Sequence, residues 1–443
     1  MTLLVISPDY ASHLLPLASL GTAWRDAGER VVVASGPATA GIVAGFGYES
    51  APLQLGRGSN PGVIRAEKQV AEEGDSLRGF FAATREGMVA TLRYQARERL
   101  TDLMWNPVAA ARATLDIVDR VRPDAILIDH LAYSARLALT VAGIPHGDVV
   151  LGHPTALPGP GEVYGFPPSW PRAFAPSAED LADLRALCQA VDAHFTDEWN
   201  RAAQELDAAA PVSESAFSEH GPLVLFNYPA ELADPDRPVP PSVHLGAALR
   251  EEPREPDVEE WIARGEPYVY VSFGSFLSVR DDVLRRVVAA LAAIGVRGAV
   301  ASGSTPPDAL GTLPEGWLVR EYLPQVRLLA GASAIVTHGG NNSVTEAVAS
   351  GVPLLVLPFS TDQFAGAAAV ERAGVGEALD PNSASVPDVT AALARVLDPA
   401  TRARVQALAS RLRQAPGAAR AREALRASAT RRAIPSASPA TPR

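Results

Sequence analysis

Short β-branched runs alternate with longer Ala/Leu/Arg stretches along most of the chain, a rhythm that predicts strand–helix units around parallel sheets. LLVIS, Leu3 to Ser7, reads as a strand, LLPLASLGTAWRDAG as a helix stopping at Gly28, and VVVAS, Val31 to Ser35, as the next strand. DAILID, Asp124 to Asp129, predicts another strand, and YSARLALTVAG a helix closing at Gly143. Gly152 to Pro176 holds seven prolines and reads as a long shaped loop. The rhythm then restarts. PYVYVSFGS, Pro267 to Ser275, enters a Gly/Ser turn ahead of a helix over Asp281 to Ile294. AIVTHGG, Ala334 to Gly340, leads into a helix over Asn341 to Ser350, and PLLVLP, Pro353 to Pro358, into one over Asp362 to Ala373.

Between the halves, Leu232 to Pro256 concentrates proline and charge in ADPDRPVPP and REEPREP, as an interdomain linker does. The expected architecture is α/β, two doubly wound Rossmann-like domains facing across a cleft. Residues 1–231 form the first, 232–256 the linker, 257–415 the second, and 416–443 a C-terminal helix with a disordered tail. A length of 443 residues suits that division.

Composition narrows the chemistry. A net charge of −11 argues against a general nucleic-acid binder. The single cysteine, Cys188, excludes an internal disulfide framework and a thiolate zinc cage. The single lysine, Lys68, sits in EKQVAEE and not in a phosphate-cradling GxxxxGK loop. No apolar run approaches a membrane span, and the amino terminus has no basic n-region, so a soluble cytoplasmic protein is expected. GxSxG, HExxH and a well-placed GxGxxG are all absent from the sequence.

Ligands of doubly wound domains sit on loops beyond the carboxyl ends of strands. HGGNNS, His338 to Ser343, brings Gly339 and Gly340 for close backbone approach, then opens a helix whose free N–H groups attract an anion. It reads as a diphosphate seat or as an ordinary strand–helix turn. Glu346 lies one turn deeper, suited to neutral hydroxyls such as those of a ribose, or simply to a helix surface. Tyr322 in REYLPQ could stack a planar base or belong to the core. Asp362 and Gln363 carry the groups that grip sugar hydroxyls, with helix capping as the plain alternative. In the first half, His13 stands at a helix mouth after a strand, and Asp129 ends another strand of the same sheet. That pairing suits a general base with its orienting carboxylate, while a capping His13 and a buried Asp129 are the plain reading, and His130 competes for the base role.

YLPQVRLLAGASAIVTHGGNNSVTEAVASGVPLLVLPFSTDQFAGA closely resembles the donor-binding signature of nucleoside-diphosphate-sugar glycosyltransferases of the GT-B fold. The nearest resemblance is to the bacterial natural-product, macrolide-type branch of the UDP-glycosyltransferase superfamily. SHLLPLASLGTAWRDAGERVVVASG resembles that family's amino-terminal strand–helix–strand. The resemblance implies that His13 deprotonates an acceptor hydroxyl and that Asp129 orients it. It implies that Tyr322 stacks on the base, that Leu323 bonds it through the backbone, and that Gln325 and Glu346 reach the ribose. Ser275, His338, Asn342 and Ser343 would hold the diphosphate, with Gly340 giving access, and Asp362 and Gln363 would hold the sugar. Tyr322 stands where plant members usually carry tryptophan, and Ser12 where many relatives have glycine. Asn341 and Thr361 also replace tryptophans of plant members.

The implied reaction is an inverting transfer without a metal or other cofactor. A nucleotide sugar is the donor and a small hydrophobic or aromatic molecule the acceptor; no nucleic acid and no membrane partner is expected. A carboxylate at Glu346 gains most from a ribose with both hydroxyls, by on the order of 1–3 kcal/mol, which favours UDP over dTDP. The resemblance implies that Asp362 and Gln363 suit glucose, so UDP-glucose is the expected donor, with a dTDP-deoxysugar next. Gln54 to Asn106 and Gly152 to Phe195 should line the acceptor pocket, with Phe80, Phe81, Tyr94, Trp105, Trp170 and Phe174 as apolar surface. A non-catalytic auxiliary protein of the same fold is the other class of reading. An epimerase or phosphorylase is a third, though Lys68 is poorly placed for a pyridoxal cofactor.

Overall fold

The computed structural model describes residues 1–62, 71–101 and 103–433. Its strands are short, and the central ones are almost wholly buried, as strands covered by helices on both faces must be, while β3, β7 and β10 at the sheet edges are more open. β1 (Thr2–Ile6), β2 (Arg30–Ser35), β3 (Glu49–Pro52), β4 (Ala125–Asp129), β5 (Gly147–Val150), β6 (Leu223–Phe226) and β7 (Ser242–His244) build one sheet. β8 (Tyr268–Ser272), β9 (Arg297–Ala301), β10 (Leu318–Arg320), β11 (Ala334–Thr337), β12 (Leu354–Val356) and β13 (Gly376–Ala378) build the other. Every pairing is parallel.

The first sheet runs β3-β2-β1-β4-β5-β6-β7 and the second β10-β9-β8-β11-β12-β13. Both orders reverse beside their first strand, at the β1/β4 and β8/β11 boundaries, and that is where such sheets open a crevice. Register carries paired residues to the same level: Ile6 lies opposite Ile128, and Ser272 opposite Thr337. The loops after β1 and β4 therefore emerge together, as do those after β8 and β11.

Alternation within β1 fills two layers. Leu3 and Val5 pack against Leu14, Leu17 and Trp24 of the helix Ala11–Arg25, while Leu4 and Ile6 meet Ile117, Val121 and Leu139 on the other face. One apolar cluster crosses between the sheets. It joins Val150, Phe226 and Tyr228 to Val344, Val348 and Val370, so the two halves share buried surface as well as a cleft.

The stretch 232–256, expected as a linker, contains β7. Its three residues pair with β6 and extend the first sheet beyond residue 231, and only 245–255 then crosses to the helix Pro256–Ala263. The C-terminal helix Gly417–Ala433 returns to the first half. Ala421 and Leu425 sit in the core with Leu127 and Leu223, and Arg422 and Arg426 reach Glu29. The predicted disordered end falls on 434–443, outside the described residues, as does Lys68. No helix among the described residues is long and apolar enough to cross a membrane.

Candidate functional site

A cavity of about 700 Å³ opens between the two sheets, at the mouths of both crevices. His13, Tyr94 and Leu131 line it from the first half, and Ser275, Tyr322 and Gly340 from the second.

His13 enters it from the first turn of Ala11–Arg25. Its Nδ1 lies 2.7 Å from Oδ2 of Asp129 at the end of β4. Asp129 is fully buried, and its other oxygen accepts the Leu131 N–H at 2.8 Å, which fixes the carboxylate's orientation. The His13 side chain keeps about 27% of its surface open toward the cleft. Burial works against its protonated form, but the charge and hydrogen bond of Asp129, with the charge of Asp362 across the cleft, outweigh it. The imidazole pKa is left above its ordinary value. His130 behaves oppositely: burial, then the cation of Arg136, pushes it down to about 3. The competing histidine is a far weaker base.

On the facing side the helix Asn341–Ser350 begins at Gly340 with no side chain capping it, so its first N–H groups are open to an anion. The His338 ring packs under this turn. A Cβ on Gly340 would lie 2.5 Å from the ring's Nε2, and one on Gly274 2.8 Å from its Cε1. Burial holds His338 down to about 4, so it presents a neutral ring and adds no positive charge.

Polar side chains expected on the donor also tie the two halves together. Asn342 donates to the Ser12 carbonyl at 2.7 Å, beside His13, and Ser275 Oγ accepts from Asn60 at 3.1 Å. Asn341 donates to the carbonyls of Leu151 at 2.6 Å and Asn227 at 3.1 Å. Asp362 leaves its own helix uncapped and accepts the His153 N–H at 2.6 Å and the Thr361 hydroxyl at 3.0 Å. Thr361 itself holds φ +50, costly for a β-branched residue and found where a loop is tightly determined. Gln363 is turned inward. Its Oε1 accepts the Phe359 and Ser360 N–H groups and its Nε2 donates to Ser360 Oγ, which holds the loop's shape.

Tyr322 is 56% exposed at the cavity wall, which removes the reading of a core tyrosine and leaves a flat face available for stacking. Leu323 beside it is buried and lines the same cavity. Gln325 opens the helix Gln325–Leu329 and donates to Glu346 Oε2 at 2.6 Å; Ser343 Oγ lies 3.4 Å from the Gln325 amide oxygen. Glu346 departs from expectation. It is buried, does not line the cavity, and gives its other carboxylate oxygen to Arg250. Arg250 lies in a stretch whose charges read as linker, so nothing in the local pattern pointed to it. The contacts of Asn60, Gln95 and His153 with the second half were equally hidden, because each joins residues more than 200 positions apart.

Two of the six expected acceptor aromatics, Phe80 and Tyr94, line the cavity, together with Tyr10, Tyr164 and Phe166. Phe81, Trp105, Trp170 and Phe174 do not. Trp170 and Phe174 instead pack on Phe364, a buried ring from the second half that offers them a dry partner. Among the described residues no group of three or more His, Cys, Asp or Glu is arranged to hold a metal ion.

Comparison with known proteins agrees with this fold. Residues 184–415 match the family described as UDP-glucoronosyl and UDP-glucosyl transferase. Zeaxanthin glucosyltransferase of Pseudescherichia vulneris is 25% identical over 380 residues, 84% of each chain. L-demethylnoviosyl transferase of Streptomyces niveus is 26% identical over 399 residues, 88% of each. Among solved structures, spinosyn forosaminyltransferase superposes with a TM-score of 0.69 at 19% identity, covering 97% of this chain and 99% of the other. A glycosyltransferase solved in complex with DTDP superposes at 0.68 and 17% identity, covering 97% and 100%. These structures share the two-sheet GT-B fold.

Proposed function

Since the chain belongs to the UDP-glucoronosyl and UDP-glucosyl transferase family and is a glycosyltransferase, we propose that it transfers a hexose, with inversion, to a hydroxyl of a small hydrophobic acceptor. In this reading the first half binds the acceptor and the second the nucleotide sugar, with UDP-glucose as the first donor to test. The observation that carries it is the His13–Asp129 pair, aimed into a cleft whose opposite wall is an uncapped helix N-terminus.

His13 takes the acceptor proton on Nε2 as the acceptor oxygen attacks the anomeric carbon. Asp129 holds Nδ1, fixes the tautomer and balances the imidazolium that forms. The bond between the anomeric carbon and the diphosphate breaks on the far face. The first amides of Asn341–Ser350 meet the charge that develops on the departing phosphate. This assigns the charge-stabilising work to the backbone, so the proposal calls for no metal. Tyr322 stacks the base, and Asp362, within electrostatic reach of His13, lies where the sugar must pass. Aromatic rings along the first half's wall suit a planar or polyketide-like aglycone.

A dTDP-deoxysugar donor is the second reading. It is favoured by the compensation of Glu346, which removes the free carboxylate on which a preference for UDP rested.

Thermal melting with UDP, dTDP, GDP, ADP and NAD tests the donor side, because a ligand that binds only the folded chain raises its melting temperature. A rise confined to UDP or dTDP supports the proposal. No shift with any nucleotide favours an auxiliary, non-catalytic role.

A further inference from the structure

Arg250 reaches the cavity from the crossover between the sheets, and its guanidinium is held by two carboxylates. Nη1 donates to Glu346 Oε1, and Nη2 donates to Glu252 Oε1 at 2.6 Å. Only about 12% of the Arg250 side chain is exposed. Glu252 is itself fixed, its second oxygen accepting the Arg327 N–H at 3.0 Å. Glu346 then has each oxygen engaged, one by Arg250 and one by Gln325. Arg250, Gln325 and Tyr322 face the cavity, while Glu346 lies behind them.

This arrangement decides what a nucleotide stacked on Tyr322 would meet. An unpaired buried carboxylate demands a donor, and a ribose 2′-hydroxyl would be strongly rewarded for supplying one. Here the charge is already compensated, and the exposed group is a guanidinium, which donates and cannot accept. A guanidinium can be satisfied by any sugar or base oxygen and places no premium on a second ribose hydroxyl.

We infer that Arg250 sets the nucleotide specificity of the donor site by neutralising Glu346, so that uridine and thymidine diphosphates bind with comparable affinity. The inference rests on the donor-site reading above. Removing the guanidinium returns one oxygen of Glu346 to the pocket and restores discrimination for a ribose carrying the 2′-hydroxyl.

Isothermal titration with UDP and dTDP tests it on the wild-type chain and on Arg250→Gln. The wild type is expected to bind both within about threefold of each other, and Arg250→Gln to favour UDP by at least about tenfold. A wild-type preference for either nucleotide of tenfold or more overturns the inference while leaving the donor site intact. A ratio unchanged in Arg250→Gln does the same. If neither nucleotide binds the wild type, the donor-site reading falls and this inference with it. Should Arg250→Gln fail to fold, the wild-type ratio decides alone.

Discussion

Asp129 Oδ2 and His13 Nδ1 are 2.7 Å apart although 116 positions separate them, because β1 and β4 are neighbours at the point where the first sheet reverses its order. The pair raises the pKa of His13 against the pull of burial. A base must be neutral to act, so transfer should increase as pH rises through that raised value. Asp129→Asn should move the acid limb to lower pH and cut kcat by about 10²–10⁴. A pH–rate profile of both proteins checks this; an unmoved acid limb contradicts the pairing. The sign for stability is the reverse. With the folded value raised, the pair's contribution is complete below the unfolded imidazole value and is lost as pH rises through the folded one.

Tyr322 is largely exposed, so its removal should cost affinity and little stability. Tyr322→Ala is expected to lose about 1–3 kcal/mol of nucleotide binding, the worth of one base–aromatic stack, with the melting temperature of the free protein almost unchanged. Titration with UDP alongside a thermal melt separates the two effects.

Gly340 has an ordinary helical-entry φ of −57, and what forbids a side chain there is the His338 ring. Gly340→Ala must push that ring away and distort the amides of the following turn. An overpacking cost of about 1–3 kcal/mol in stability is expected, and nucleotide affinity should fall by roughly tenfold, the weight of about one good hydrogen bond. Denaturant unfolding and nucleotide titration measure each.

Beneath the His13 side of the cleft, Arg136 Nε lies 3.0 Å from Asp148 Oδ1, both fully buried, while Nη1 donates to the His130 carbonyl at 2.9 Å. Burial opposes the Asp148 charge, but Arg136 foremost holds its carboxyl below the usual range. Arg136→Met strands that charge and should destabilise the chain by about 3–5 kcal/mol in urea unfolding. With the folded value depressed, the stability from Asp148 is present above the unfolded carboxylate value and is lost as pH falls through the folded one.

Much of the fold was legible because its signals are local. The helix after HGG runs over Asn341–Ser350 as the pattern predicts, β4, β8, β11 and β12 fall within the runs read as strands, and β1 and β2 each begin one residue earlier than the run read for them. β7 was not legible. SVH among prolines carries no strand pattern of its own, and its structure comes from pairing with β6. At the site, the residue types announced their loops but not their partners. Glu346 reads as a ribose ligand or a helix-surface carboxylate, and its partner Arg250 stands 96 positions away; Gln363 lines the cavity as expected, but that its amide also closes its own loop is invisible in the pattern. Trp170 and Phe174 likewise read as pocket walls, and they pack half-buried on Phe364 at the edge of the core.

The most direct test of the account compares His13→Ala with the wild type at saturating UDP-glucose and a phenolic acceptor, following glycoside formation and, separately, UDP affinity. The account predicts that UDP still binds while transfer falls by at least about 10². Full transfer by His13→Ala would contradict it.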